Sequence, residues 1–145
     1  MPRPKQETPT DREMDLLQVL WAAGPLGTRD IVERLNETRA KPLAYSSVHT
    51  ILSIMVKKGL LAKGSGDKKH VFRPVHSKEE IEAKLIKRLK RTVFGGSTMR
   101  LVSRALATDT PSEADLAKIQ DLLDSLENES AEDESEESEP DDGDV

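Results

Sequence analysis

The chain of 145 residues contains no cysteine, which excludes disulfide staples, thiolate metal sites and cysteine nucleophiles. Aromatic residues are scarce, with two Phe, one Tyr and one Trp, so any core must be aliphatic and modest. No apolar run approaches the ~20 residues that a bilayer span needs. Met1-Pro-Arg-Pro-Lys5 is not followed by the apolar stretch of a secretory leader. A cytoplasmic chain without membrane insertion is the expectation. Acid is missing locally too: Thr38 to Gly66 contains no Asp or Glu, against Arg39, Lys41, Lys57, Lys58 and Lys63.

The formal net charge is −5, a sign that argues against a nucleic-acid partner. Resolved along the chain, the argument reverses. Residues 1–78 carry 14 bases and 8 acids, residues 79–126 carry 8 of each, and residues 127–145 carry 11 acids and no base. The order is therefore basic, neutral, then strongly acidic, and such asymmetry points to charged partners for one part only.

Periodicity and capping signals divide the chain further. Residues 1–9, Pro-rich and polar, read as a flexible arm. Thr10-Asp-Arg-Glu13 is a capping box that opens a helix with Met14, Leu17, Leu20 and Trp21 at helical spacing. A second helix, with Thr28 as its cap, carries Ile31, Val32 and Leu35. A polar turn at 38–43 leads to a third helix from about Ala44 to Lys58, closed by Gly59. Leu60–Lys63 and His70–Arg73 flank a Gly-rich turn and predict a β-hairpin.

That order predicts a mainly α protein: a winged helix-turn-helix domain over 10–76 with a small β-hairpin wing. Ser77-Lys-Glu-Glu80 and Thr110-Pro-Ser-Glu113 are further capping boxes. They start helices in a region, 77–126, predicted to be a helical dimerisation domain. Its apolar stripe comprises Leu85, Leu89, Val93, Met99, Val102, Leu106, Leu116, Ile119, Leu123 and Leu126. Short capped helices of this kind are marginal without a partner, so a homodimer is expected, with folding back onto the first domain as the alternative. The acidic tail, 127–145, has too little apolar surface to offset its ordering entropy and is predicted to be disordered.

The third helix carries the candidate chemistry. At ~100° per residue, Val48, Ile51, Leu52 and Met55 form one side. Ser46, Thr50, Ser53 and Lys57 fall on the opposite side, with Ser47 and His49 flanking them. Short hydroxyls approach base edges closely in a major groove, and the threonine methyl contacts that of thymine. Hydroxyls and basic side chains also hold backbone phosphates. Arg39 and Lys41 in the preceding turn, and Lys68 and Lys69 at the wing tip, add candidate phosphate contacts. The competing reading is an ordinary solvated helix face. Its parallel at the level of function is a winged-helix adaptor that binds protein and not DNA.

An enzyme is not indicated. His49, His70 and His76 have no carboxylate at ligand or triad spacing, and no Gly-rich phosphate loop follows a strand. No metal site and no cofactor are expected.

Particular stretches carry a resemblance. They are Leu43-Ala-Tyr-Ser-Ser-Val-His-Thr-Ile-Leu52, Lys57-Lys-Gly-Leu-Leu61 and Val71-Phe-Arg-Pro74, with Glu13 and Leu16-Leu-Gln-Val-Leu-Trp21 before them and Phe94-Gly-Gly-Ser97 with Leu101-Val102 after. Over about residues 8–126 the chain resembles the penicillinase-repressor (BlaI/MecI) family. The resemblance implies a dimeric winged-helix repressor on a palindromic operator in double-stranded DNA. It also implies release of repression by a membrane sensor metalloprotease that cuts the C-terminal domain. Ser46, Ser47, His49 and Thr50 match the family's base- and phosphate-contacting positions. The bond cut in penicillinase repressors aligns with Arg104-Ala105, a different residue pair from the family's.

Overall fold

The computed structural model describes residues 8–137. The chain forms two compact units, Met1–Gly95 and Gly96–Val145. Residues 1–7 of the expected arm and 138–145 of the acidic tail lie outside the described residues.

The first unit runs α1 (Asp11–Ala23), β1 (Leu26–Gly27), α2 (Thr28–Asn36), α3 (Tyr45–Lys58), β2 (Leu61–Lys63), β3 (Val71–Pro74) and α4 (Lys78–Val93). The Thr10 hydroxyl accepts from the Glu13 amide at 3.2 Å, and the Glu13 carboxylate accepts from the Thr10 amide at 2.9 Å, which completes the predicted capping box. The Asn36 side chain spans the turn after α2. It donates to the Leu43 carbonyl at 3.0 Å and accepts from the Leu43 amide at 2.9 Å, fixing where α3 begins. Gly59 ends α3 at φ 81°, a left-handed conformation that strains any residue with a Cβ.

The three strands pair antiparallel in the order β1-β3-β2. The hairpin of β2 and β3 matches expectation. The edge strand β1, with Leu26 opposite Phe72 and Gly27 opposite Val71, is an addition, since two residues offer no alternation to read. A Cβ at Gly64 would lie 2.2 Å from the Lys68 carbonyl oxygen, so the wing turn closes only around glycine.

One core holds this unit together. α1 supplies Leu16, Leu17 and Leu20; α2 supplies Ile31 and Leu35; α3 supplies Val48, Leu52 and Met55. Leu60, Leu61, Phe72 and Ile81 complete it. Each such side chain contributes about 1.5–3 kcal/mol on burial. The expected boundary at 76/77 is corrected by this packing. Ile81 is 1% exposed and Leu85, four residues on, packs against the same core, so α4 clusters with the winged unit and the division falls at Gly95/Gly96. Leu85 was expected in a dimer interface; it is half-buried within its own unit.

A charge is buried in this unit. Glu13 is 2% exposed, and Lys58 at the end of α3 donates to its Oε1 at 2.7 Å. Burial pushes the Glu13 carboxyl upward, but hydrogen bonds from Lys58 and Thr10 and the lysine's charge outweigh it, leaving the pKa below 4.5.

The second unit contains α5 (Thr98–Thr108) and α6 (Glu113–Glu137). Ser97 caps α5 by accepting from the Arg100 amide at 3.1 Å. Ser112 does the same for the Asp115 amide at 3.1 Å, so the cap of α6 is Ser112 and not the expected Thr110. Within the tail expected to be disordered, α6 continues over 127–137. Glu and Ala have high helix propensity, and a helix already nucleated by its leucines grows one residue at a time without repeating the nucleation cost. The expectation of disorder counted only apolar burial. Among the described residues no helix is long and apolar enough to cross a membrane.

Candidate nucleic-acid interface

The face of α3 opposite its core residues is built as the spacing predicts. Val48, Leu52 and Met55 are fully buried, while Ser46, Ser47, His49, Thr50 and Lys57 are exposed and Ser53 is half-buried. The hydroxyls are already engaged along the helix. Thr50 donates to the Ser46 carbonyl at 2.9 Å and Ser53 to the His49 carbonyl at 3.0 Å. In that state they offer lone pairs outward, and Thr50 adds its methyl. The stripe therefore suits amino groups of adenine or cytosine and the methyl of thymine.

His49 is held by two neighbours. Its Nδ1 shares a hydrogen bond with Thr28 Oγ1 at 3.1 Å, and its ring stacks on Tyr45 with centroids 6.0 Å apart and planes within 5°. Thr28 is thus not the side-chain cap of α2, whose N-cap is Gly27; its buried hydroxyl links α2 to α3 instead. Arg39 is partly committed, with Nε donating to the Lys41 carbonyl at 3.3 Å and a 3.8 Å ion pair to Asp15. Lys41, Lys68 and Lys69 are exposed, the last two around the wing tip, where a single 3₁₀ turn spans Gly66–Lys68.

The geometry adds residues that the spacing did not single out. A cavity of about 270 Å³ opens between the first turns of α2 and α3 and the wing. Gly27, Thr28, Arg29, Tyr45, His49, Lys63, Lys69, His70 and Phe72 line it. Lys63 Nζ lies 5.8 Å from the centroid of Phe72, its cross-strand partner. The Tyr45–His49 pair was detectable as an i,i+4 aromatic pair; the Thr28–His49 link, 21 residues apart, had no local signal. Among the described residues, no three His, Asp or Glu come together as a metal cage.

The stripe of expected dimer residues divides differently. Leu89, Val93, Met99, Val102, Leu106, Leu116, Leu123 and Leu126 are exposed and Ile119 is half-buried; Leu122, also exposed, joins them.

A profile of the penicillinase repressors matches residues 9–125. The chain belongs to the penicillinase repressor family. Two curated relatives, each named "Transcriptional regulator BlaI" and from two strains of Mycobacterium tuberculosis, are 34% identical over 77 residues, which is 52% of this chain and 54% of theirs. The chain spans about half the length of the curated relatives it matches. Among solved structures it is similar to a MarR family protein from Bacillus stearothermophilus, at TM-score 0.48 and 19% identity over 85% of this chain and 76% of the other. A second is the PcaV transcriptional regulator of Streptomyces coelicolor, at TM-score 0.39 and 22% identity over 85% and 77%. At such scores the winged fold of this chain rests on its own elements and on its family.

Proposed function

We propose that the chain is a sequence-specific DNA-binding repressor of transcription that acts as a homodimer on a palindromic operator. The observation that carries this reading is the acid-free outer face of α3. Ser46, Ser47, Thr50 and Lys57 stand exposed there, directly behind a helix-turn and before a basic wing. The printed name of the two curated relatives, a transcriptional regulator, points the same way. Lys41, Lys57, Lys68 and Lys69 supply salt-dependent affinity through counterion release; α3 supplies base readout.

Dimerisation is supported by the exposed apolar side chains of the second unit, which a second copy covers. Paired recognition helices then reach half-sites one DNA turn apart, ~34 Å. Cleavage by a membrane sensor metalloprotease follows from family membership and belongs to this proposal.

Selection of bound duplexes from a random pool tests the reading. A recovered palindrome supplies the operator. On it, the Ser46→Ala/Thr50→Ala double variant loses ~1–3 kcal/mol in a mobility-shift titration. Unchanged affinity removes α3 from readout, and no duplex binding even at low salt turns the reading to a protein-binding adaptor.

A further inference from the structure

The cavity between α2, α3 and the wing has the make-up of a ligand site. Its lining draws on five elements and the wing turn, and it includes Arg29, Lys63 and Lys69 with two histidines, His49 and His70, and no carboxylate. Phe72 lies behind the lining, buried, and the parallel Tyr45–His49 rings form an aromatic wall. Its volume of about 270 Å³ approaches the ~300 Å³ at which small-molecule pockets begin.

Two contacts hold the lining in place before any ligand arrives. The Thr28–His49 hydrogen bond at 3.1 Å fixes the imidazole, and Lys63 is held over the Phe72 ring. Preorganisation of this kind lowers the ordering cost of binding. Cations gathered beside an aromatic wall select a ligand of matching build, with a charged head and a planar body.

We propose that this cleft binds a small aromatic anion. A phosphate or carboxylate head takes Arg29, Lys63 and Lys69 as counter-charges, and a single ring lies against the exposed Tyr45–His49 pair. The site goes beyond the DNA-binding reading and does not depend on it. One consequence does connect them. His49 and Lys69 line the cleft and also belong to the proposed DNA face, so ligand and duplex compete, and by linkage each weakens the other by the same factor.

The test uses the full chain without DNA. Phenyl phosphate serves as probe, inorganic phosphate as the head-only control, and ionic strength is held constant. The imidazole resonances of His49 and His70 are followed by NMR. The expected result is a saturable shift of both rings, reached at lower concentration with phenyl phosphate than with inorganic phosphate. In the Arg29→Gln/Lys63→Gln variant, binding weakens by about tenfold or more, while the thermal melt stays at the wild-type value. If that double variant melts early, Arg29→Gln alone, at an exposed position, is compared.

Linear, non-saturating shifts overturn the proposal. So does equal affinity in the variant, or equal affinity for the two probes. A separate mobility-shift assay keeps the two readings apart. Saturable anion binding with no duplex binding sinks only the repressor reading, and duplex binding with no anion site sinks only this one.

Discussion

The two units of this chain use leucine in opposite ways. In 8–95, leucines from α1, α2 and α3 meet in one core and are buried to a few percent exposure. In 96–137, Val102, Leu106, Leu116, Leu122, Leu123 and Leu126 recur at comparable helical spacing yet remain exposed. Apolar periodicity records that a helix face needs covering, not what covers it. The winged unit, four helices with a sheet, satisfies that need within one chain. In the second unit, α5 and α6 leave most of their large apolar side chains exposed.

This contrast is most sharply tested by substitutions that affect one unit and not the other. The largest effect is expected from Leu123→Asp/Leu126→Asp. On the proposed homodimer, it leaves the melt of the winged unit in place, gives a monomer in sedimentation, and weakens operator binding by ~10²–10⁴ through loss of bivalency. Retained dimer would place the association surface elsewhere. Leu52→Ala acts in the reverse sense. It removes ~2–5 kcal/mol from the winged unit in a thermal or denaturant melt, and the helicity of 96–137 is unaffected.

A smaller effect comes from the buried ion pair. The folded-state pKa of Glu13 is lowered, so its contribution to stability is present above its ordinary carboxyl pKa of 4.5 and is lost as pH falls through the lower folded value. Lys58→Met removes the counter-charge and leaves the carboxylate buried. The acid-unfolding midpoint then moves to higher pH, and stability at neutral pH drops by roughly 2 kcal/mol. A superimposable acid titration curve would show that the pair contributes nothing. Smallest is Ser112→Ala, which removes one cap from α6 at a cost of ~1 kcal/mol. Thr110→Ala, by contrast, leaves the helix content of the second unit unchanged in circular dichroism.

What was legible in the sequence follows from the range of each interaction. Thr10, Ser77 and Gly59 announce helix ends because a cap acts within three or four residues. The core face of α3 was legible from its period alone. The β1 strand, the Thr28–His49 bond and the Glu13–Lys58 pair join residues far apart in the chain, and composition carries no trace of such pairings. Helix α6 shows a different gap. Eleven acids within 127–145 predict poor burial, which is accurate for the described side chains up to Glu134, all exposed; they do not predict loss of helix, because helix formation there needs no burial.

The two-residue strand β1 has a wider consequence. Leu26 and Gly27 lie immediately before Thr28 and are hydrogen-bonded to β3, so the wing is moored to the start of α2. The distance from the α3 face to the wing tip then behaves as a ruler with a fixed scale. On the proposed DNA-binding reading, variation in the loop from Ser65 to His70 lengthens or shortens the reach along a duplex and leaves the proposed base contacts of α3 in place. On that reading, footprint and base preference are set by separate elements, one by the loop and the other by the helix.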